Sequence, residues 1–152
     1  MEEYLKLDKQ LCFSLYVLHR EIMQQYRPIL DEIGLTYPQY ITLMALWEND
    51  GLTVNQLGDQ LKLDNGTLTP LLKRLEAKGL LTRTRSKVDE RVVEIHLSTA
   101  GKLLKEKASC VPGQILNALN LNLDDMTALK TLSDQVLDGA QKKQKDDDRN
   151  SK

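Results

Sequence analysis

The chain has 152 residues, of which 41% are hydrophobic and 28% charged, a balance typical of a soluble globular protein with one domain and at most an oligomerisation extension. Its formal net charge of −1 argues against nucleic-acid binding through overall charge. The sequence contains no run of about 18 apolar residues, and its N-terminus has neither the basic region nor the apolar run of a signal peptide. We therefore expect a cytoplasmic protein without a membrane partner, in which both cysteines rest as thiols.

Residues 5–33 have the pattern of one long helix with two apolar stripes, and Gly34 is placed to end it. A face that wide usually packs against two surfaces, here the helix's own domain and a partner chain. We accordingly assign residues 5–35 to dimerisation.

A helix-turn-helix is predicted in the middle of the chain. A helix begins near Thr36 with a proline in its first turn, and Thr53 and Gln56 have the spacing of a capping box that opens a short helix. A turn over residues 63–66 leads into a second helix with a stripe of leucines. Pro70 lies inside this helix, so the sequence leaves its exact start open.

Two strands, residues 80–85 and 91–97, are predicted to form a hairpin around a polar turn. Residues 66–92 carry seven basic and three acidic side chains, which gives a local positive segment on an otherwise acidic chain. A short helix, a tight turn, a second helix and a basic hairpin together indicate a winged helix-turn-helix over residues 36–97. A merely solvated charged surface is the alternative explanation of the charge.

Ser98 and Thr99 are predicted to cap a helix that reaches about Leu119, with a kink or break at residues 112–113, and a last helix begins at Asp124. Residues 98–141 are assigned to dimerisation, and the charged residues 142–152 are expected to be disordered. The predicted fold is mainly α with a small two-stranded β wing, and the N- and C-terminal helices build a dimer.

The first turns of a recognition helix read bases in the major groove, while a basic hairpin meets phosphates or the adjacent minor groove. The candidate DNA-binding residues are Asn65, Thr67, Thr69, Lys73, Arg74, Arg83, Arg85, Lys87 and Arg91. As structural alternatives, Thr67 and Thr69 only start a helix, and Arg91 pairs with Asp89 or Glu90. His19 and His96 have no neighbouring ligands at metal spacing, so no metal is expected. No glycine loop suited to phosphates and no marked Ser-His-Asp triad occurs in the sequence, so neither another cofactor nor a catalytic centre is expected.

Four segments resemble the MarR family of regulators, and within it the OhrR-type sensors of organic hydroperoxides. They are Gln10-Leu11-Cys12-Phe13, residues 35–40, residues 63–76 and Asp89-Glu90-Arg91, and the resemblance extends over residues 5–140. Asn65 departs from the serine common at that position in the family. Tyr26 and Tyr37, together with the cysteine after Gln-Leu, are the features specific to the peroxide-sensing branch.

The resemblance implies a symmetric dimer, built from the first, fifth and sixth helices, on a pseudo-palindromic operator in double-stranded DNA. It implies a reactive Cys12 near Tyr26 and Tyr37 of the other subunit, with Tyr16 one turn away. An organic hydroperoxide would oxidise Cys12 to a sulfenic acid, which condenses with a second thiol and releases the DNA. That thiol is either a low-molecular-weight thiol or Cys110, and a free structural role for Cys110 stays equally open.

Other functions also fit the sequence. A MarR-type repressor could instead be released by a small phenolic ligand, or the chain could be a broader thiol-based redox or virulence regulator. A thiol peroxidase and a winged helix that binds only proteins belong to other functional classes. Without the resemblance, Cys12 would be interpreted as a small buried hydrophobic residue.

Overall fold

A computed structural model describes the backbone of residues 5–150 and the side chains of residues 5–143. A short 3₁₀ helix, Leu7–Lys9, precedes the first long helix. The helices are α1 (Leu11–Asp31), α2 (Tyr37–Glu48), α3 (Val54–Leu61), α4 (Asn65–Ala77), α5 (Thr99–Ala108), α6 (Val111–Ala118) and α7 (Leu123–Asn150). The strands are β1 (Leu52–Thr53), β2 (Leu81–Arg85) and β3 (Val93–Leu97). None of the helices within the described residues is long and apolar enough to cross a membrane.

The chain divides between Val111 and Pro112 into two compact units. The first holds α1 to α5 and the three strands, and its core forms where α2, α3, α4 and the sheet pack together. Large side chains that are almost wholly removed from water fill this core: Leu43, Leu46, Leu57, Leu68, Leu72, Leu75, Leu81 and Ile95. The second unit contains α7 and almost all of α6.

The predicted two-stranded wing is confirmed as β2 and β3, and a third strand, β1, extends it to a three-stranded sheet. Its order is β1-β3-β2 and both pairings are antiparallel. Leu52 lies opposite Ile95 in one ladder, and Leu81 lies opposite Leu97 in the other. The missed strand, β1, is only two residues long, too short to show an alternating pattern, and it forms because the distant β3 offers it an edge.

The two helices of the helix-turn-helix begin at side-chain caps. Thr53 Oγ1 accepts a hydrogen bond from Gln56 N at 3.2 Å while Gln56 Oε1 accepts one from Thr53 N at 2.9 Å, which confirms the predicted capping box. Asp64 caps α4 by accepting from Thr67 N at 2.9 Å. The start that the sequence left open is therefore Asn65, and Pro70 lies inside α4, where it removes one intrahelical hydrogen bond.

The C-terminal helices differ from the prediction in two places. The helix that begins at the Ser98 cap ends at Ala108, earlier than the predicted break, because Pro112 sits in the first turn of a new helix. The expected disordered tail is helical through Asn150, and residues 151–152 lie outside the described residues. Residues 141–150 contain neither glycine nor proline, and their lysines and glutamines favour a helix.

Candidate DNA interface and thiol sensor

The recognition helix α4 has one buried and one exposed face. Its buried residues are Leu68, Leu71, Leu72 and Leu75. On the exposed side Asn65, Thr69 and Lys73 follow each other at a spacing of four residues, so they form one row along the helix. Arg74 is exposed near the same end as Lys73. This row is the surface that α4 can present to a groove of DNA.

Thr67 takes part in the N-terminal cap of α4. Its backbone N–H and its hydroxyl both donate to the Asp64 carboxylate, at 2.9 Å and 2.8 Å. These two hydrogen bonds hold the pKa of Asp64 below its ordinary value. The helix-starting role considered for Thr67 is thus present, and its contact with DNA stays a prediction. Thr69 has an exposed side chain in the row of α4.

Arg83 ties the wing to the recognition helix. Its guanidinium donates to Glu76 Oε2 at 2.6 Å and 2.8 Å, and its backbone N–H donates to Glu76 Oε1 at 3.2 Å. The hydrogen bond from the Arg83 side chain lowers the pKa of Glu76. Because this guanidinium is hydrogen-bonded to Glu76, its position favours a structural role, which is to fix β2 on α4, over a contact with DNA.

The tip of the wing presents three basic side chains. Arg91 donates to Asp89 Oδ1 through its backbone N at 3.0 Å and through Nε at 3.2 Å, yet its side chain remains 91% exposed. The ion pair considered as an alternative for Arg91 is thus present, and it orients a guanidinium that phosphates can still reach. Arg85 donates to the Glu90 carbonyl at 3.2 Å, and Lys87 is exposed.

A cleft of about 290 Å³ separates the recognition helix from the wing. Asn65 and Thr69 line it from α4, Arg91 lines it from the wing side, and Asn55 lines it from α3. Asn65 Nδ2 donates to Asn55 Oδ1 at 3.3 Å. Sequence reasoning missed Asn55, because only the fold of the helix-turn-helix brings the start of α3 to the start of α4.

Three tyrosines meet where α1 packs on α2. The rings of Tyr26 and Tyr37 lie 4.8 Å apart between centroids and are tilted by 58°. The Tyr40 ring is 6.3 Å from that of Tyr26 and 6.3 Å from that of Trp47. The structure thus brings the predicted pair together. Tyr40 was missed, although its position one turn after Tyr37 on α2 was a signal for it.

The phenols of this cluster keep their protons at neutral pH. Burial, reinforced by the neighbouring Tyr37 and Tyr40, raises the pKa of Tyr26 to about 12. Burial likewise raises the pKa of Tyr37 and of Tyr40. A protonated phenol is a hydrogen-bond donor, so the cluster can stabilise a negative charge brought to it.

Cys12 and Tyr16 are exposed on the first half of α1, away from that cluster. At the rise of an α-helix, Cys12 and Tyr26 are about 21 Å apart along the axis of α1. Within one protomer, therefore, Cys12 does not contact Tyr26 or Tyr37, whose ring packs against that of Tyr26. Tyr16 instead has the Arg20 guanidinium 5.6 Å from its ring centroid.

Cys110 follows α5 as a second free and exposed thiol. Its Sγ donates to the Lys107 carbonyl at 3.3 Å. Its electrostatic effect contributes, after burial and Tyr37, to the raised pKa of Tyr40. The sequence alone did not indicate this interaction.

A side chain at the end of the recognition helix holds the loop that leads to Tyr37. Lys78 Nζ donates to the Gly34 carbonyl at 2.6 Å and to Gln39 Oε1 at 3.0 Å. The same Gln39 oxygen accepts from Thr36 N at 3.1 Å. This group, which we call the Lys78 clasp, connects the end of α4 to the start of α2. No sequence pattern pointed to it.

No group of three or more His, Cys, Asp or Glu side chains is placed to hold a metal ion in the part of the chain that the structure describes. A helix-turn-helix with an exposed polar recognition face, followed by a basic hairpin, defines a winged-helix DNA-binding regulator. The first unit of this chain is built on that plan.

Comparison with known proteins gives the family. Residues 24–108 match the family described as "Transcriptional regulator SarA/Rot". The chain is 52% identical to the organic hydroperoxide resistance transcriptional regulator of Bacillus subtilis over 129 residues, which cover 85% of this chain and 88% of that protein. It is 43% identical to the regulator SarZ of Staphylococcus aureus over 76% of this chain and 78% of SarZ.

Among solved structures, reduced AbfR bound to DNA matches with a TM-score of 0.79 and 34% identity, over 93% of this chain and 97% of AbfR, a protein of Staphylococcus epidermidis. The chain belongs to the MarR family of transcriptional regulators, in the branch of the organic hydroperoxide regulators.

Proposed function

We propose that the chain acts as a homodimeric repressor that binds a pseudo-palindromic operator and releases it when an organic hydroperoxide oxidises Cys12. The observation that carries this proposal is the separation, along the length of α1, of a thiol from the hydrogen-bond donors that could stabilise its charge. The exposed thiol lies at one end of the helix, and the protonated donors Tyr26 and Tyr37 lie near the other. A second copy of α1, running antiparallel, supplies each part with its complement.

Exposed apolar side chains support the dimer. The first half of α1 exposes Leu11, Phe13, Leu15, Val17 and Leu18 to at least 36%, a large apolar surface for a single chain. A contiguous exposed apolar surface marks an interaction site. The same holds for α7, which exposes Leu132, Val136 and Leu137. Helix α1 lies within the segment 5–35 assigned to dimerisation, and the three exposed residues of α7 lie within the segment 98–141.

The chemistry at Cys12 follows from its thiolate. The sulfur attacks one peroxide oxygen, the O–O bond breaks, and the alkoxide that leaves takes a proton to become an alcohol. The sulfur is oxidised by two electrons to a sulfenic acid while the peroxide is reduced. A thiolate accepts charge-assisted hydrogen bonds from the partner's Tyr26 and the partner's Tyr37, and these weaken when the sulfur becomes neutral.

The Lys78 clasp provides a route from the tyrosines to the DNA-binding surface. Tyr37 is the first residue of α2, and the loop that precedes it is held by Lys78 from the end of α4. A displacement at the start of α2 therefore acts on the recognition helix. The half-sites of an operator are about 34 Å apart, so a small change in the spacing of two recognition helices abolishes their simultaneous fit.

The thiol that condenses with the Cys12 sulfenic acid is either Cys110 or a low-molecular-weight thiol. A bridge between Cys12 and Cys110 is supported by the exposure of both sulfurs and by the 34% identical AbfR, for which a disulfide form has been solved. Non-reducing electrophoresis after peroxide treatment separates the alternatives. A covalent dimer that Cys110→Ser removes supports the bridge, and a thiol adduct on a monomeric chain supports the small thiol.

The decisive experiment uses the promoter adjacent to the protein's own gene. We expect cumene hydroperoxide to release the wild-type protein from this duplex in a gel shift, and Cys12→Ser to stay bound at the same peroxide concentration. Cys110→Ser is the matched cysteine control, and it must still form the Cys12 sulfenic acid. Full release of Cys12→Ser by the peroxide would disprove oxidation of Cys12 as the signal.

A pocket beside the tyrosines supports a second candidate function, that of a repressor released by a small phenolic ligand. It measures about 390 Å³ and is lined by residues that include Met23, Tyr26, Arg27 and Tyr37. A phenolic acid fits such a mixture of rings and a guanidinium, as a ligand-released repressor requires. Release of Cys12→Ala by a phenolic acid, without any response to peroxide, would favour this function.

A further inference from the structure

The side-chain amides of Asn55, at the start of α3, and Asn65, at the start of α4, suggest a contact with a DNA base. We propose that Asn65 reads an adenine in each operator half-site and that Asn55 is the positioning residue that fixes the Asn65 amide for this contact. This inference rests on the proposed function as a repressor that binds a pseudo-palindromic operator. The juxtaposition behind the proposal is the 3.3 Å hydrogen bond from Asn65 Nδ2 to Asn55 Oδ1.

The position of Asn65 suits a base contact. It is the first residue of α4, and it begins the exposed row of that helix. The N-terminus of α4 is already capped by Asp64, so the Asn65 side chain is not required as a cap. With Thr67 committed to Asp64, Asn65 is the exposed amide in the first turn of the recognition helix.

The surroundings of the pair are those of a groove-facing surface. Asn55 and Asn65 are both exposed, and both line the cleft that continues to Thr69 and to Arg91 of the wing. A duplex that receives α4 in its major groove would place base edges against Asn65 and phosphates against Arg91. Asn55, on α3, would contact Asn65 on the side of its amide that is turned away from the bases.

The donors and acceptors of the amide select one base. A carboxamide has two N–H groups and one oxygen, and the bond to Asn55 uses one N–H. The other N–H and the oxygen remain as a donor beside an acceptor. Exchanging oxygen and nitrogen in both amides leaves the same combination. Adenine matches it with the N7 acceptor and the N6 amino group, whereas guanine presents two acceptors, and cytosine and thymine present only one such group each.

Asn55 contributes by restricting rotation of the Asn65 amide before DNA arrives. An exposed asparagine in free rotation must be ordered upon binding, and that ordering opposes association. A side chain already held by a neighbour loses less freedom. The expected signature is therefore an effect of Asn55 on base discrimination at the position that Asn65 reads, and at no other position.

Selection from random duplexes tests the proposal with the full-length reduced protein. We expect the wild type to select an adenine at one position of each half-site and to bind the selected duplex about tenfold more tightly than its A-to-G variant. Asn65→Ala should bring this ratio close to one, and Asn55→Ala should reduce it at the same position. Asn49→Ala, which removes an exposed amide at the end of α2, should keep the wild-type ratio.

Replacement of that adenine by 7-deazaadenine provides a measurement that needs no variant. It removes the N7 acceptor, so it should weaken wild-type binding and leave Asn65→Ala unaffected. The double variant Asn55→Ala/Asn65→Ala should discriminate no worse than Asn65→Ala. The proposal is overturned if the selected duplexes contain no adenine whose preference depends on Asn65, or if 7-deazaadenine binds the wild type as tightly as adenine. An unchanged ratio in Asn55→Ala overturns the role of Asn55.

Discussion

The DNA-reading region and the sensor region differ in how much of each is contained in one protomer. The helix-turn-helix and the wing are held by contacts inside the chain, such as the capping box of α3, the Asp64 cap of α4 and the Arg83–Glu76 pair. The proposed sensor is divided, because Cys12 and its proposed tyrosine partners lie far apart on the same chain. The first region is held together within one chain, whereas the proposed sensor would become a site only in a dimer.

The two regions therefore respond to different perturbations. Changes that break contacts within the chain should alter stability or DNA affinity in each protomer. Changes to the divided site should leave the fold and the reduced DNA complex intact and alter only the response to oxidant. The Lys78 clasp is a hydrogen-bonded contact that joins one region to the other, beside the packing of α2 on α3 and α4.

The largest loss of stability is expected at Gly101, where α5 approaches the start of the wing. A Cβ at this position would lie 2.0 Å from the Leu80 carbonyl oxygen, and the Gly101 carbonyl accepts from Trp47 Nε1 at 2.9 Å. Gly101→Ala should lower the free energy of unfolding by about 3 kcal/mol in urea titrations. Gly113→Ala is the control, since a Cβ there has no neighbour within 4 Å, and it should raise stability by about 0.5 kcal/mol. Equal effects would contradict the close packing at Gly101.

Substitutions of Lys73 in the recognition helix and of Lys78 directly after it should affect DNA binding and stability differently. Lys78→Met removes the clasp and should lower the free energy of unfolding by about 1 kcal/mol. It should also reduce the fraction of operator released when Cys12 is fully oxidised. Lys73→Met should leave stability unchanged and weaken DNA binding, with a salt dependence reduced by about one unit of slope.

Thermal unfolding and gel shifts on the same two proteins measure both effects. A normal oxidant response in Lys78→Met would show that the clasp does not connect the two regions.

The smallest effect concerns the pH dependence of the wing contact. The hydrogen bond from Arg83 holds the pKa of Glu76 below its ordinary value of 4.5, so the stabilisation is present at neutral pH and is lost as the pH falls through the lowered pKa. Glu76→Gln should therefore make stability less dependent on pH below about pH 5. Glu106→Gln, at an exposed position of α5, is the matched control. Parallel stability curves for the wild type and Glu76→Gln would contradict the assignment.

The sequence predicted best what is local. The Thr53–Gln56 capping box, the leucine stripe of α4 and the two long strands of the wing all have short-range signals, and each is present in the structure. Resemblance to the family supplied Tyr26 and Tyr37, whose rings do pack together. What local patterns could not supply were contacts between distant segments.

Those contacts account for the features that sequence reasoning missed. β1 forms because β3 lies beside it, Lys78 meets Gln39 across the fold, and Asn55 meets Asn65 across a turn. Arg83 was predicted from its charge to contact DNA, yet tertiary structure places Glu76 against it. Charge and spacing alone do not determine which basic side chains remain available to a ligand.

A mixed dimer tests the division of the sensor most directly. One subunit would carry Cys12→Ser, and the other would carry Tyr26→Phe together with Tyr37→Phe. The rate of Cys12 sulfenic acid formation would be measured with a trapping reagent and mass spectrometry. Our account predicts the wild-type rate, because the remaining Cys12 faces intact tyrosines on the other chain. A rate as low as that of the homodimer lacking both tyrosine hydroxyls would contradict a site shared between protomers.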